Sequence, residues 1–213
     1  MVKLESSFKN MVLVLTSIVL FAAIALASIY NLTKEPIEQA RTAKQRNAIE
    51  EVLPTFEKLG EAETIILENI GSFTLYRAYD AAGELAGAAV ESFSKNGFSG
   101  EIRVMVGFDT VGNIVDYSVL EQKETPGLGT KMVDWFKTEK GGQNIKGKNP
   151  GTNNLKVTRD GGEVDAITAS TISSRAFLEA IQNAYAAYTN NPNAVDTNSG
   201  ATEVDSESGA TQY

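Results

Sequence analysis

Two neighbouring runs, Glu101-Ile102-Arg103-Val104-Met105-Val106-Gly107-Phe108 and Asn113-Ile114-Val115-Asp116-Tyr117-Ser118-Val119-Leu120, decide the fold. In the first, Ile102, Val104, Val106 and Phe108 alternate with Arg103, Met105 and Gly107, the period of a half-buried strand. Val111-Gly112-Asn113 supplies the turn signal between the runs. The same texture extends upstream through Thr64–Glu68, Phe73–Tyr79 and Leu85–Phe93. Ala82-Gly83 and Asn96-Gly97 are the turn signals on that side. The expectation is an antiparallel sheet spanning Thr64 to Leu120.

Downstream, Met132–Thr138 predicts a short helix, and Gly141–Gly162, rich in Gly, Asn and Lys, reads as loop. Thr171–Tyr188 predicts an amphipathic helix, since Ile172, Ala176, Phe177, Ala180, Ile181, Ala184, Tyr185 and Tyr188 recur at helical spacing. Thr189–Tyr213 holds four acidic residues, no Lys or Arg, and a single aromatic at its end. So little apolar surface cannot offset ordering entropy, so this tail is expected to be disordered.

Upstream, Met11–Tyr30 runs 20 residues without a charge. A helix of that length spans roughly 30 Å, the hydrocarbon thickness of a bilayer. A cleaved signal peptide has a shorter apolar region ending in small residues, whereas this run continues into Ile29, Tyr30 and Leu32. Thr33–Leu53 reads as a separate juxtamembrane helix, with Thr33 as N-cap, Pro36 in its first turn and Pro54 closing it. Lys3 and Lys9 precede the span, while Lys34, Arg41, Lys44 and Arg46 follow it, so charge counting slightly favours a cytoplasmic domain. The expected class is α+β. Its order is an N-terminal segment (1–10), which the resemblance described below implies is cytoplasmic, one transmembrane helix (11–30), a juxtamembrane helix and linker (33–60), a sheet-and-helix domain (61–188) and an acidic tail (189–213).

Composition removes whole classes of function. The net charge of −8 argues against nucleic acid, whose phosphates demand a basic surface. The chain has no Cys and no His, which excludes thiolate chemistry, Cys-ligated iron–sulfur clusters, His-ligated haem or zinc, and His acid–base catalysis. Redox chemistry would need an organic cofactor or a partner.

Two segments carry the chemistry. Asp165-Ala166-Ile167-Thr168-Ala169-Ser170-Thr171-Ile172-Ser173-Ser174-Arg175 places five hydroxyls where a helix begins. A helix N-terminus offers free N–H groups and partial positive charge, which suit a phosphate; an ordinary Ser/Thr N-cap would use the same residues. Glu124-Thr125-Pro126-Gly127-Leu128-Gly129-Thr130-Lys131 contains a rigid turn and two glycines that would let a flat ring approach the backbone, with Lys131 toward an anionic edge. A plain strand–helix connection fits that segment equally well.

In this order, the two segments resemble the FMN-binding domain of membrane flavoproteins, whose motif is an acidic residue followed by x-x-Ser/Thr-Gly-Ala-Thr-x-Ser/Thr-Ser/Thr. Asp165, Thr168, Thr171, Ser173 and Ser174 match; Ala169 and Ser170 replace the usual Gly and Ala. Glu124–Lys131 looks like the second family signature, and Gly97-Phe98-Ser99-Gly100 like a further feature. The resemblance covers roughly residues 85 to 188. One N-terminal span and a short chain are most similar to the G-type branch of the family, associated with Rnf electron transport. The C-type branch of sodium-pumping NADH:quinone reductases is next.

The resemblance implies FMN joined through its phosphate to Thr171 by an FMN transferase. Thr168, Ser170, Ser173, Ser174, Glu124, Thr125, Leu128, Gly129 and Lys131 would complete the site. It further implies a bacterial inner-membrane protein with its domain on the non-cytoplasmic side. Its partners would be other members of a membrane complex coupling ferredoxin and NAD electron exchange to ion movement. The ion path must lie elsewhere, because the span has no acidic or basic residue. No G-x-G-x-x-G fingerprint follows a strand, so NADH binding is not expected here. A non-redox membrane-anchored sensor or assembly module is the competing reading. Asp196–Thr202 and Asp205–Thr211 repeat the motif core in the tail but lack the hydroxyl pair and the helix that follows.

Overall fold

The computed structural model describes residues 7–53, 55–68 and 70–194, and the chain divides into two compact units, Met1–Lys44 and Gln45–Tyr213. Residues 195–213 of the acidic-tail expectation, with both tail motifs, fall outside those described, as does Pro54, while residues 189–194 form hydrogen-bonded turns after the last helix.

Helix α1 runs unbroken from Phe8 to Val52, with Pro36 inside it. The start expected at Thr33 is absent. Its hydroxyl donates back to the carbonyls of Ile29 (2.9 Å) and Tyr30 (3.4 Å) instead of accepting from the next turn, so it continues a helix rather than opening one. Among the described residues, α1 is the one helix long and apolar enough to cross a membrane, and its apolar stretch has no buried residue.

The second unit holds a six-stranded antiparallel sheet. Its strands are β1 (Lys58–Leu59), β2 (Glu63–Leu67), β3 (Gly71–Tyr79), β4 (Leu85–Gly97), β5 (Gly100–Phe108) and β6 (Ile114–Glu121). They lie in the order β1-β3-β4-β5-β6, and β2 also pairs with β3. The register opposes Val90 to Val106 and Val106 to Tyr117, so apolar side chains of one face align across three strands.

The short helix expected over Met132–Thr138 is a 3₁₀ turn, Gly129–Lys131, leading into α2 (Met132–Trp135). Helix α3 (Thr171–Tyr188) packs along β4 and β5 on the apolar face. Phe177 stacks on Phe136 at 4.5 Å and meets Tyr117 edge-on at 4.8 Å. The Tyr117 hydroxyl donates to the Met132 carbonyl at 2.7 Å, and burial pushes its pKa well up. The 141–162 region is irregular as expected, yet it sends Ile145, Leu155 and Val157 into the core.

The expectation of half-buried strands holds less well at β5. Met105 and Gly107 lie on the face away from α3 yet are buried, because Ala48, Ile49, Val52 and Leu53 cover that face, which also carries Ala78 and Ala89. The last turns of α1 therefore pack on the domain's sheet, where the sequence suggested a juxtamembrane helix outside the domain core. The apolar residues at 48, 49, 52 and 53 carry that pattern.

Candidate functional site

Both chemistry-bearing segments converge on one pocket of about 370 Å³, lined by Phe98, Glu124, Thr125, Leu128, Ala169, Ser170, Thr171, Ile172 and Ser173. Three backbone devices assemble it. The β4–β5 hairpin turns through Phe98 and Ser99, with Gly97 opposite Gly100, and lifts Phe98 to 67% exposure. Thr125-Pro126-Gly127-Leu128 closes as a tight turn, the Leu128 N–H reaching the Thr125 carbonyl at 3.1 Å. Gly127 at φ +76° provides the left-handed third position of a type II turn. Ala169 at φ +61° then bends the chain into α3.

The family's usual glycine corresponds to Ala169, and its φ shows why glycine suits the position: an L-residue there strains the backbone by about 1–2 kcal/mol.

Helix α3 opens without a side-chain cap. Its N-cap is Ser170, not Thr168, and no Ser170 side-chain bond caps the first turn. The first-turn amides of α3 therefore have no side-chain cap and can receive an anion, and Thr171 lines the pocket. The neighbouring hydroxyls are committed elsewhere. Ser174 Oγ is buried, donating to the Ser170 carbonyl and accepting from the Ile167 N–H, each at 2.9 Å. Ser173 Oγ donates to Glu124 Oε2 at 2.5 Å and lies 2.9 Å from Ser170 Oγ. Neither adds to the open donor set expected of the first turn.

Thr168 and Lys131 are exposed and lie off the pocket lining; Ser174 and Gly129 are buried behind it. Gly129 makes room for protein, not for a ring: a Cβ there would stand 2.7 Å from both Glu124 Cβ and Ser173 Oγ. Asp165 is architectural. Its carboxylate accepts from the Gly142 N–H at 2.8 Å, and its carbonyl accepts from Trp135 Nε1 at 2.9 Å. Arg175 is held by Asp160 at 2.6 and 2.7 Å, and that guanidinium keeps the Asp160 carboxyl below the usual range.

The arrangement fits FMN on two counts: an uncapped helix start for phosphate, and exposed apolar Phe98, Leu128 and Ile172 for a flat ring. Pockets of this size, apolar with a few polar groups, are typical cofactor sites. Phe98 was absent from the residues expected to bind; an aromatic at a hairpin tip, preceded by glycine, was the available signal.

The FMN-binding domain family model matches residues 97–186. The G-type component of the ion-translocating oxidoreductase complex of Vibrio vulnificus is 33% identical over 162 residues, covering 71% of this chain and 75% of that protein. The same component from Yersinia pestis is 32% identical, covering 79% and 85%, and that of Pseudoalteromonas atlantica 31%, covering 87% and 89%. Among solved structures, the crystal structure of Shewanella oneidensis NqrC aligns with a TM-score of 0.43 at 22% identity, covering 66% of this chain and 67% of that one.

Proposed function

Because the chain belongs to the family of G-type components of ion-translocating oxidoreductase complexes, and carries their FMN-binding domain, we propose that it holds FMN as a phosphodiester on Thr171 and relays electrons between neighbouring proteins of such a complex. The observation that carries this reading is the uncapped start of α3, with Thr171 in its first turn and on the pocket wall. A phosphodiester leaves the redox-active ring free, and the ring supplies all the electron chemistry. The chain's own residues bind and orient. Amides of the first turn of α3 hold the phosphate, whose charge the helix start favours by about 0.3–1 kcal/mol. Phe98, Leu128 and Ile172 shield the ring from water.

Attachment requires an FMN transferase and an activated flavin dinucleotide as donor: the bond from the Thr171 oxygen to phosphorus forms as the donor's pyrophosphate bond breaks, with a nucleoside monophosphate leaving and the hydroxyl proton lost to base. The apolar part of α1 anchors the chain in the inner membrane, with the domain on the non-cytoplasmic side. There covalent attachment keeps a cofactor that would otherwise be lost. Ferredoxin and NAD would exchange electrons elsewhere in the complex, and the ion path would lie there too, since this chain offers neither a nucleotide fingerprint nor an acidic or basic residue within its span.

Intact mass of the native protein, followed by peptide mapping, tests the reading. A flavin adduct on the peptide that contains Thr171 is expected; an unmodified Thr171 peptide from a yellow protein would refute the attachment. Protease added to intact spheroplasts should digest the domain, and protection would reverse the orientation.

A further inference from the structure

Glu124 is a charged residue type that is 4% exposed at the wall of the pocket. Its Oε1 accepts the Ser99 N–H at 2.9 Å, from the hairpin tip that carries Phe98. Its Oε2 accepts the Ser173 hydroxyl at 2.5 Å, from the first turn of α3. Each oxygen has a hydrogen-bonding partner, so both ends of the group are engaged. The short contact to Ser173 is in the range of a charge-assisted bond. Both donors are neutral groups, and neither brings a positive charge to offset the carboxylate.

Glycines on two segments lie close against this group. A Cβ on Gly129 would stand 2.8 Å from Glu124 Oε2, and one on Gly97 would meet first the Gly100 carbonyl at 2.2 Å and then Glu124 Oε1 at 2.8 Å. Burying an ion costs free energy that two hydrogen bonds and a helix start only partly return. For tying three segments together, a glutamine would serve at lower cost, since its amide can accept from Ser99 and donate to Ser173, whose oxygen also has acceptor capacity.

We infer that Glu124 is a positioning residue whose buried negative charge sets the reduction potential of the flavin held in this pocket. The inference rests on the reading of Thr171 as the attachment site. Reduction adds electrons to the ring. A fixed anion in the pocket wall opposes that added charge, because Coulomb interactions are screened less where water is excluded. Glu124 therefore holds the potential below the value the same pocket would give with a neutral residue, while its two hydrogen bonds fix the hairpin tip against α3.

The test compares Glu124→Gln with Glu124→Asp in the full chain, expressed with the transferase. Flavin content, peptide mapping and the midpoint potential by spectroelectrochemical titration are read for each. Both variants should carry flavin on Thr171. The potential should move to more positive values in Glu124→Gln and stay near that of the parent in Glu124→Asp, which keeps the charge. An unchanged or more negative potential in Glu124→Gln overturns the inference. So do equal shifts in both variants, which would assign the effect to packing, and loss of flavin from Glu124→Gln alone, which would make the carboxylate a requirement for attachment instead. Flavin mapped to another residue in the parent protein refutes the attachment site and leaves these outcomes distinguishable from it.

Discussion

Gly107 on β5 lies directly against the Val52 carbonyl at the end of α1: a Cβ on Gly107 would fall 1.8 Å from that oxygen. The contact is backbone to backbone, so no side-chain rotation relieves it. It marks the last turns of α1 as part of the domain core, with Ala48, Ile49, Val52 and Leu53 closing the sheet face that carries Ala78, Ala89 and Met105.

Removing residues 1–44 should therefore release a folded, soluble domain, while removing 1–53 should not. The second truncation uncovers Met105 and its neighbours. It also forfeits burial of Ile49, Val52 and Leu53, each worth about 1.5–3 kcal/mol, a large part of a total stability of about 5–15 kcal/mol. Thermal denaturation followed by circular dichroism checks this, and equal melting temperatures for the two truncations would remove α1 from the core. Gly107→Ala in the shorter truncation should destabilise by at least about 1–3 kcal/mol, the usual cost of overpacking.

The sheet and α3 were legible because both rest on periodicity: Ile102, Val104, Val106 and Phe108 every second residue, Ile172 to Tyr188 at helical spacing. The coverage of Met105 and Gly107 was not. It depends on a segment far upstream, at 48–53, whose apolar positions are interleaved with charges. At the site, Thr171, Glu124 and Leu128 were placed together by motif. What Glu124, Ser173 and Gly129 do there is a matter of three-dimensional neighbours, which motif spacing does not encode.

Gly129 illustrates the difference. From sequence, its lack of a side chain suggested room for a flat ring, and a larger residue would crowd that ring. In the structure the space is filled by Glu124 and Ser173. Gly129→Ala should break or lengthen the Glu124–Ser173 bond and cost about 1–3 kcal/mol by overpacking. Gly127→Ala meets no neighbour within 4 Å but is strained by its φ of +76°; it should cost about 1–2 kcal/mol without disturbing that bond. Hydrogen exchange at the Ser99 amide, which Glu124 accepts, separates the two. Acceleration in Gly129→Ala alone is expected, and equal protection in both would count against the packing role.

Ala169→Gly should stabilise the domain. At φ +61° glycine avoids a strain of about 1–2 kcal/mol and gives back roughly 0.5–1 kcal/mol through greater freedom in the unfolded chain. The net gain is of order 0.5–1 kcal/mol, a rise of roughly 1–4 °C in melting temperature for a domain of this size. A lower melting temperature would mean that the Ala169 methyl, which lines the pocket, contributes packing that outweighs its strain.

Thr171→Ala should abolish covalent flavin while leaving the fold intact. Thr171 is the first helical residue of α3, its side chain takes no part in the cap, and alanine is the best helix former, so the substitution has little to destabilise. Ser173 and Ser174 cannot substitute as attachment points: one hydroxyl is engaged by Glu124 and the other is buried against Ser170 and Ile167. Thr171→Ser keeps the oxygen and removes the methyl, so reduced labelling there would report selectivity of the transferase. The comparison that decides the site sets Thr171→Ala against a double Thr202→Ala/Thr211→Ala variant, each produced with the transferase. In-gel flavin fluorescence should vanish from the first and persist in the second. The reverse result would move the cofactor to the tail motifs and leave the uncapped start of α3 without its ligand.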